Sequence, residues 1–460
     1  MNIFKYPFKP IILNLFLITS IYGLDPFERL RFTEKKFVAS LNYELSGLAS
    51  PALYDIVTTK DSNTFKIRSN LMAMHNNKNP KIIAGVLFNG IIDDIYFHIE
   101  PIFTNSIFGI TDLGTGYSRK NISARFENAF IRYNKNNFIL RLGRSAHWWG
   151  QSVSKSIIQS GMFPSYDYLF FQYRLTNLHF DLIHGQLGSG KTLIGERIKR
   201  NIAGHRLTWR LNNKILLSIG EQIIYSGKNR GIELTYLNPF VPYFFTGLEG
   251  DEENYPVDND NSIIFSDFKI LINKNFSIYG ELIIDDFQID DTGVEDAIGF
   301  KVGFDGKLKI KHNSLFYIFE WTKIAQWTYL HYGQNTSWIN KSHPIGYSYG
   351  PDSECAQIKL IASSNKNIDI IVDMSYLIKG VNSIGTSMNS GLQSNSINKS
   401  KDYFFGQIGI SYKNKWGFLE TGWISKNYEN HLIDGQTSFT SGSKAYIKLI
   451  FNLKKSYILN

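Results

Sequence analysis

The sequence predicts an all-β protein: a transmembrane antiparallel β-barrel of about 18 strands with a small amino-terminal periplasmic or plug element. Three observations predict it, namely an export signal, repeated alternation of apolar and polar residues, and connections that switch between short turns and long loops. The expected segments are a signal peptide over residues 1–23, an amino-terminal periplasmic, plug or first-strand segment over 24–60, and the barrel over 61–460.

The amino terminus has the organisation of a secretory signal peptide. Lys5 and Lys9 precede an apolar run from Ile11 to Ile21, and the small residue Gly23 follows at a plausible cleavage point. A membrane anchor is the alternative, but a spanning helix needs about 20 apolar residues. The pattern therefore favours export, and any later membrane crossing is expected to use strands.

Period-two alternation recurs along the chain and predicts strands with one apolar face. Around residue 208, for example, Leu207 and Trp209 alternate with Arg206 and Thr208. About 15 such runs follow residue 123, and four precede it, near 36–46, 64–73, 82–90 and 94–103. Because bacterial barrels have even strand numbers, we expect that one amino-terminal run is a periplasmic or plug segment or is not a strand. The last strand is expected to end near Leu453.

The connections favour a membrane barrel over a soluble sandwich, because short turns and long loops alternate. The predicted short turns are Lys135–Asn137, Thr176–Asn177, Asn212–Lys214, Asn273–Asn275, Asp305–Gly306, Asn365–Asn367 and Lys413–Lys415. The predicted long loops are 145–167, 188–202, 225–262, 288–295, 324–353, 379–402 and 426–442. We expect the turns to face the periplasm and the loops to face outward.

Composition narrows the possible partners. The single cysteine, Cys355, excludes an intramolecular disulfide framework. The chain has 26 Tyr, 34 Phe and 37 Gly, types that suit strands, interfacial belts and tight turns. The net charge of +9 is spread along the chain, so it favours acidic polymers or lipids and argues against nucleic acid.

Residues 184–192, HGQLGSGKT, match the spacing of a phosphate-binding loop. Such a loop requires a strand before it and a packed helix after it. Instead, the strand predicted at Ala203–Leu211 has an antiparallel alternating pattern, and no buried strand ending in a Mg²⁺-binding acid accompanies it. We therefore interpret the motif as a surface loop and expect no nucleotide.

No other motif supports catalysis or a cofactor. The acidic run Asp285–Asp291 could bind Ca²⁺, although a solvated loop mouth is the favoured interpretation. The ten histidines lack zinc-site spacing, and the nucleophile motif Gly-x-Ser-x-Gly is absent. We expect no metal, no cofactor and no enzymatic activity.

Several stretches together resemble the Wzi-type capsule assembly proteins of bacterial outer membranes. They are 141–150 (RLGRSAHWWG), 204–210 (GHRLTWR), 221–240 (EQIIYSGKNRGIELTYLNPF), and Trp327–Tyr329 leading to Gly346 and Gly350–Asp352. The resemblance implies an 18-stranded outer-membrane barrel with an amino-terminal periplasmic helical element. It also implies a lectin-like protein that attaches capsular or exported polysaccharide to the cell surface. Residues 24–60 instead contain an alternating strand pattern.

The candidate polysaccharide-binding residues follow from the chemistry of sugar recognition, in which aromatic faces stack on rings and arginines bind acidic groups. They are Arg144, Trp148, Trp149, Arg230, Trp327, Tyr329 and Trp338. The alternative is structural: the aromatic residues would form the membrane-interface girdle, and Arg144, Arg230 and Glu233 would form ion pairs in the lumen.

Two other functions remain open at this level. A porin or transport channel would use the same barrel, with loop 225–262 or 324–353 folded inside as a constriction. An outer-membrane enzyme would need a site at the barrel mouth, for which Asp285, Asp286 and His147 are the candidates. A monomer in contact with outer-membrane lipid is expected in each case.

Overall fold

The structure is a computed structural model that describes residues 64–458, except for 76–80, 105–116, 120–121, 155, 162, 192–194, 213, 247–259, 274, 287–295, 332–333, 342, 365–366, 383, 385–399, 415–416, 428–431, 434–435 and 438–439. The predicted signal peptide, the segment 24–60 and the predicted strand 36–46 lie outside the described residues.

In the described part of the chain, eighteen long antiparallel strands form the barrel. They are β1 Thr64–His75, β2 Lys81–Ile92, β3 Ile95–Thr104, β4 Ile122–Lys135, β5 Phe138–Ser145, β6 Tyr166–Arg174, β7 Leu178–Gln186, β8 Arg197–Arg210, β9 Ile215–Gly227, β10 Asn261–Asn273, β11 Phe276–Asp286, β12 Ala297–Ile310, β13 Asn313–Ile324, β14 Ser353–Ser363, β15 Ile368–Lys379, β16 Lys401–Asn414, β17 Gly417–Asn427 and β18 Thr440–Ile458. Short strands Tyr117–Arg119 and Gly190–Lys191 add to β4 and β8, which gives a 20-stranded sheet.

Each long strand pairs with its neighbours in the chain, and the last pairs with the first. The β1–β18 ladder runs from Thr64 opposite Ile458 to His75 opposite Ile447, so the sheet closes on itself. Closure leaves no strand edge exposed to lipid, where an unpaired backbone group would be costly. The prediction of an 18-stranded barrel is confirmed. The expected end of the last strand near Leu453 is wrong, because β1 provides pairing partners as far as Ile458.

Side chains alternate across the barrel wall as the sequence predicts. In β8, Arg206 and Thr208 are fully buried toward the lumen, whereas Leu207 and Trp209 are 42% and 49% exposed on the outer face. The same alternation runs along β15, where exposed Met374 lies beside buried Asp373. An apolar outer band around a polar interior is the arrangement of an outer-membrane barrel, and the protein is located in the outer membrane.

Short turns and longer connections alternate around the barrel, as expected, but the predicted loop 188–202 is wrong at its end, because β8 begins at Arg197. One predicted turn, Asp305–Gly306, is wrong, because both residues continue β12 and pair on each side, Asp305 with Ser277 and Ile318. The Asp305 carboxylate accepts a hydrogen bond from the Ser277 hydroxyl, which favours the ladder over a turn. The turn lies instead at residues 311–312, where Lys311 has φ of 53°.

In the described parts of the long loops, regular structure consists of small elements. Two-residue hairpins pair Trp148–Trp149 with Gln159–Ser160, Ile339–Asn340 with His343–Pro344, and Leu432–Ile433 with Gln436–Thr437. The helical turns are Thr235–Leu237, Tyr243–Thr246 and Gln334–Thr336. In the described part of the chain, no helix is both long and apolar enough to cross a membrane.

The buried ion pair between Arg206 and Asp267 should behave as a coupled unit. Arg206 Nη2 and Asp267 Oδ2 are 2.7 Å apart, and both side chains are fully inaccessible to solvent. Replacing one member of such a pair leaves a buried charge unpaired, at a cost of about 3 to 5 kcal/mol. We expect Arg206→Met to lower the temperature at which the SDS-resistant folded form is lost, and Arg206→Met/Asp267→Leu to recover much of that loss. Arg210→Met on the same strand is the control. Additive losses in the double variant would contradict the coupling.

Candidate functional site

The connection between β5 and β6, residues 146–165, folds into the lumen, where Glu281 of β11 binds it. The Glu281 carboxylate accepts hydrogen bonds from the backbone N–H of Ser152 at 2.7 Å and of Ile157 at 2.8 Å, and from the Ser156 hydroxyl at 3.0 Å. Glu281 is 3% exposed. Its charge is therefore satisfied by the loop, and the loop's buried donors are satisfied by Glu281.

A second lumen carboxylate, Glu320 of β13, binds the tip of the same loop. It accepts the backbone N–H groups of Val153 and Ser154, each at 3.0 Å. From the wall, the Tyr279 hydroxyl donates to Glu320 at 2.8 Å and Lys301 Nζ donates at 3.0 Å. The loop tip is thus fixed by carboxylates that the barrel wall holds in place.

The connection between β13 and β14, residues 325–352, packs against this first loop. The Ser160 N–H donates to the Ile345 carbonyl at 2.8 Å, and the Tyr329 hydroxyl donates to the Ile157 carbonyl at 2.5 Å. The Asn340 side-chain amide donates to the Pro164 carbonyl at 2.7 Å. Together the two loops form one packed body inside the barrel.

This packed body contains all five aromatic residues predicted to stack on sugar. The exposed fractions are 2% for Trp148, 0% for Trp149, 9% for Trp327, 0% for Tyr329 and 1% for Trp338. Trp149, Tyr329 and Trp338 belong to a single apolar core. In this structure protein atoms cover the faces of these rings. Their role in this structure is to pack the loops into the lumen.

His147, a candidate of the enzyme alternative, lies in the same interior. Its ring is 1% exposed and contacts the rings of Trp149 and Tyr168, with centroids 5.2 and 5.5 Å away. Burial, together with the charges of Arg141 and Arg206, lowers the pKa of His147 well below its usual value. The imidazole is therefore neutral and enclosed, and no substrate can reach it in this arrangement.

Arg230 has a structural role outside the barrel wall. Its guanidinium binds the Glu233 carboxylate through two hydrogen bonds of 2.7 Å and also pairs with Asp260. Burial opposes the charge, but the hydrogen bonds that Arg230 donates to Glu233 and Asp260 dominate and raise the pKa of Arg230 above its usual value. With both carboxylates bound, Arg230 has a structural role in ion pairs, as the alternative interpretation expected, but these pairs lie outside the barrel wall and not in the lumen.

Arg144 is the sequence candidate that faces an open cavity. The cavity measures about 600 Å³ and lies at the long-loop end of β5–β8. Its lining residues are Arg144, Ser165, Tyr166, Asp167, Gln186, Leu187, Gly188, Ser189, Gly190, Arg197, Arg200, Asn335, Ile339 and Lys341. Arg144 Nε and Nη2 donate to the two oxygens of Asp167, at 2.9 and 2.5 Å, and both side chains stay accessible, 36% and 58% exposed.

Arg200 lines this cavity and binds the loop that provides Asn335, Ile339 and Lys341 to the lining. It is 4% exposed, and its guanidinium donates to the carbonyls of Ser337 at 2.8 Å and Ile339 at 3.0 Å, and to that of Asn335. These bonds hold residues 335–341 over the cavity. Sequence reasoning missed Arg197, Arg200 and Lys341, because no local pattern brings β8 and the loop 325–352 together.

Residues 184–192, which match the spacing of a phosphate-binding loop, border the same cavity but have a different structure. Gly185 lies within β7, and Gly190 and Lys191 form a short strand paired with Ile198 and Arg197 of β8. Gly185 thus lies in a barrel strand and Gly190 in a short added strand, so much of the motif is strand where a surface loop was expected. In the described residues, the strand, loop and helix required for a phosphate-binding loop are not formed.

Metal binding finds no support among the described residues, where no group of three or more His, Cys, Asp or Glu side chains converges. In the acidic run, Asp285 accepts a hydrogen bond from the backbone N–H of Tyr329, which ties it to the packed loops. Residues 287–291 of this run lie outside the described residues.

The two lumen carboxylates should decide whether the barrel conducts ions. Replacing both, in Glu281→Ala/Glu320→Ala, removes the acceptors for four buried backbone N–H groups of loop 146–165, each worth about 1 to 3 kcal/mol when left unsatisfied. We expect low conductance for the wild-type protein in planar bilayers and a higher conductance for this variant. Glu196→Ala, at an exposed ion pair, is the control. An open wild-type pore, unchanged by the substitutions, would show that the loops do not close the lumen.

Comparison with solved structures gives an outer-membrane barrel as a structural relative. Wzi from Escherichia coli, described as an outer-membrane protein involved in group 1 capsule assembly and as a carbohydrate-binding β-barrel, aligns over 98% of this chain and 97% of its own with a TM-score of 0.57 and 15% identity. OccAB4 from Acinetobacter baumannii aligns over 87% and 100%, with a TM-score of 0.47 and 8% identity. OccK2 from Pseudomonas aeruginosa, solved with glucuronate, aligns over 86% and 98%, with a TM-score of 0.47 and 7% identity.

Comparison with curated protein sequences gave no match. The family model described as capsule assembly protein Wzi matches residues 56–403, which is most of the chain and includes the cavity and both lumen loops. With the closed barrel and the similarity to the Escherichia coli structure, this match shows that the chain belongs to the Wzi family of capsule assembly proteins.

Proposed function

We propose that this protein binds acidic capsular polysaccharide in the cavity at its long-loop rim and so holds the polymer at the outer surface of the outer membrane. The observation that carries the proposal is the charge of the lining, in which Arg144, Arg197, Arg200 and Lys341 face a single carboxylate, Asp167. A concave site with an excess of cations attracts carboxylates and other anionic groups.

The size and position of the cavity suit a segment of a polymer. A volume of about 600 Å³ lies within the range of small-ligand sites, so it can hold a few sugar residues of a longer chain. The cavity lies at the long-loop end, which in outer-membrane barrels faces the cell exterior. A polysaccharide could therefore enter and leave it without passing through the lumen.

The lining residues make different kinds of contact with the polysaccharide. Arg197 is exposed and can form a bidentate contact with a sugar carboxylate. The Arg144–Asp167 pair offers both donors and acceptors to sugar hydroxyls while each partner keeps the other oriented. Arg200, bound to three loop carbonyls, adds a fixed positive charge from below. These contacts account for binding alone, and we propose no catalytic step.

The family and the fold support this proposal over a transport channel. The Escherichia coli relative is itself described as carbohydrate-binding. In this chain, the two lumen loops occupy the space through which a solute would move. We further propose that the barrel acts as a monomer, since the β1–β18 pairing leaves no open sheet edge for a second copy.

Equilibrium binding of detergent-held protein to an oligogalacturonate and to a neutral dextran oligomer of equal length tests the proposal, with the surface polysaccharide of the source cell as a third ligand. We expect saturable, salt-sensitive binding of the acidic oligomer, weakened about tenfold or more in Arg197→Ala/Lys341→Ala, because two charge-assisted contacts of about 1 kcal/mol each are lost.

Lys309→Ala is the matched control, because Lys309 is exposed near a short turn at the opposite end of β12. Equal affinity of the acidic and neutral oligomers would contradict charge recognition. Equal losses in the control and in the cavity variant would show that binding follows net charge and is not located at the cavity.

A further inference from the structure

The loop that follows β9 contains an element for which polysaccharide binding gives no role. Residues 228–246, here called the outer strap, fold back over the outer face of β7–β9. Tyr243 of the strap packs on His205 with ring centroids 4.6 Å apart, and Tyr236 packs on Tyr225 at 4.7 Å. The Tyr243 backbone N–H donates to the Glu221 carboxylate at 2.6 Å.

Burial of outward-facing residues shows that the strap lies on the lipid side of the wall. In β8, Leu207 and Trp209 share the outer face with Ala203, yet Ala203 is fully buried while the other two are exposed. In β9, Ile219 is 58% exposed, whereas Ile223 on the same face is 1% exposed. Both changes occur where Tyr236 and Tyr243 cover the strands.

Polar groups of the strap are satisfied on its inner side. Arg230 binds Glu233 and Asp260, and the Tyr236 hydroxyl donates to Asp260 at 2.6 Å. The Tyr225 hydroxyl donates to the Gly231 carbonyl at 2.9 Å. The strap is therefore bound to the barrel by its charged residues, which leaves other side chains for its outer side.

Those outer side chains are large and apolar. Ile232 is 69% exposed, Leu234 is 82%, Phe240 is 90% and Phe244 is 41%. Such a concentration of exposed apolar side chains within 13 residues is unfavourable in water. Leu207, Trp209 and Ile219 continue the apolar surface on the strands beneath, so the strap extends the lipid-facing band of the barrel.

The height of the strap on the wall places it at the outer leaflet. Ala203, under the strap, is six residues from Trp209 along β8, which at about 3.3 Å per residue and about 40° of tilt is about 15 Å of height. The apolar band of an outer-membrane barrel is about 25 Å tall. Because Trp209 lies one residue from the short-turn end of β8, where the inner aromatic girdle is expected, the strap begins within this band, on its outer side.

We propose that the outer strap is a membrane-interface element whose Ile232, Leu234 and Phe240 insert among the acyl chains of outer-leaflet lipids. Aromatic and aliphatic side chains on a short irregular segment are suited to this depth, where its polar backbone can still reach headgroups and water. Insertion would fix the depth of the long-loop rim relative to the membrane surface. The proposal concerns lipid and is independent of polysaccharide binding.

Depth-dependent fluorescence quenching tests whether the outer strap inserts into the membrane. After Cys355→Ala, which removes the single buried thiol, Phe240→Cys is labelled with an environment-sensitive dye and the protein is inserted into phosphatidylcholine vesicles with or without a nitroxide on the upper acyl chain. Leu207→Cys is the lipid-facing reference, and Lys214→Cys, exposed in a short turn, is the aqueous reference. Only protein that retains the SDS-resistant folded form is compared.

We expect the label at 240 to emit at shorter wavelength than the label at 214 and to lose as much emission to the nitroxide as the label at 207. A label at 240 that matches the one at 214, while the label at 207 is quenched, would overturn the proposal, since the strap would then project into water. Repeating the measurement with Leu234→Cys distinguishes insertion of the strap from insertion of one ring.

Discussion

The binding of backbone N–H groups of the loop 146–165 by Glu281 and Glu320 is the interaction on which the functional part of the structure depends. A loop inside a barrel loses the water that would satisfy its backbone, and each unsatisfied group costs about 1 to 3 kcal/mol. The two carboxylates provide the acceptors. Once this loop is fixed, the loop 325–352 packs on it through Tyr329 and Ile345, and its outer part becomes the wall of the cavity.

The difference between local patterns and contacts between distant residues explains how much of the molecule could be predicted from its sequence. Period-two alternation and turn chemistry are local, so they correctly predicted the barrel, its 18 strands and most of its turns. Asp305–Gly306 was misread because its turn-forming character is local, whereas its pairing with residues on β11 and β13 is not. Pairing of Glu281 with Ser152, 129 residues away, likewise has no local signal. The aromatic candidates were recognised as a group, but which faces are covered depends on the tertiary fold.

At the long-loop end, charged side chains line the cavity and exposed apolar side chains lie on the outer strap. The cavity gathers arginines of β5 and β8 with Lys341, while the outer strap turns its charged residues toward the barrel and its apolar residues away from it. A polymer site on one side and a proposed lipid contact on the other would hold an acidic polysaccharide at a fixed height above the membrane. Arg200 of β8 binds the carbonyls of Asn335, Ser337 and Ile339 and so attaches the cavity wall to the barrel.

Hydrogen–deuterium exchange of the protein in vesicles, with and without saturating oligogalacturonate, tests the central claim most directly. If acidic polysaccharide binds at the rim cavity, backbone amides of residues 186–200 and 334–341 should exchange more slowly when the oligomer is present. Amides of the short turns at the opposite end, such as those around Lys311, should not change. Slower exchange confined to other loops, or none at saturating ligand, would contradict the claim that the arginine-lined cavity is the binding site.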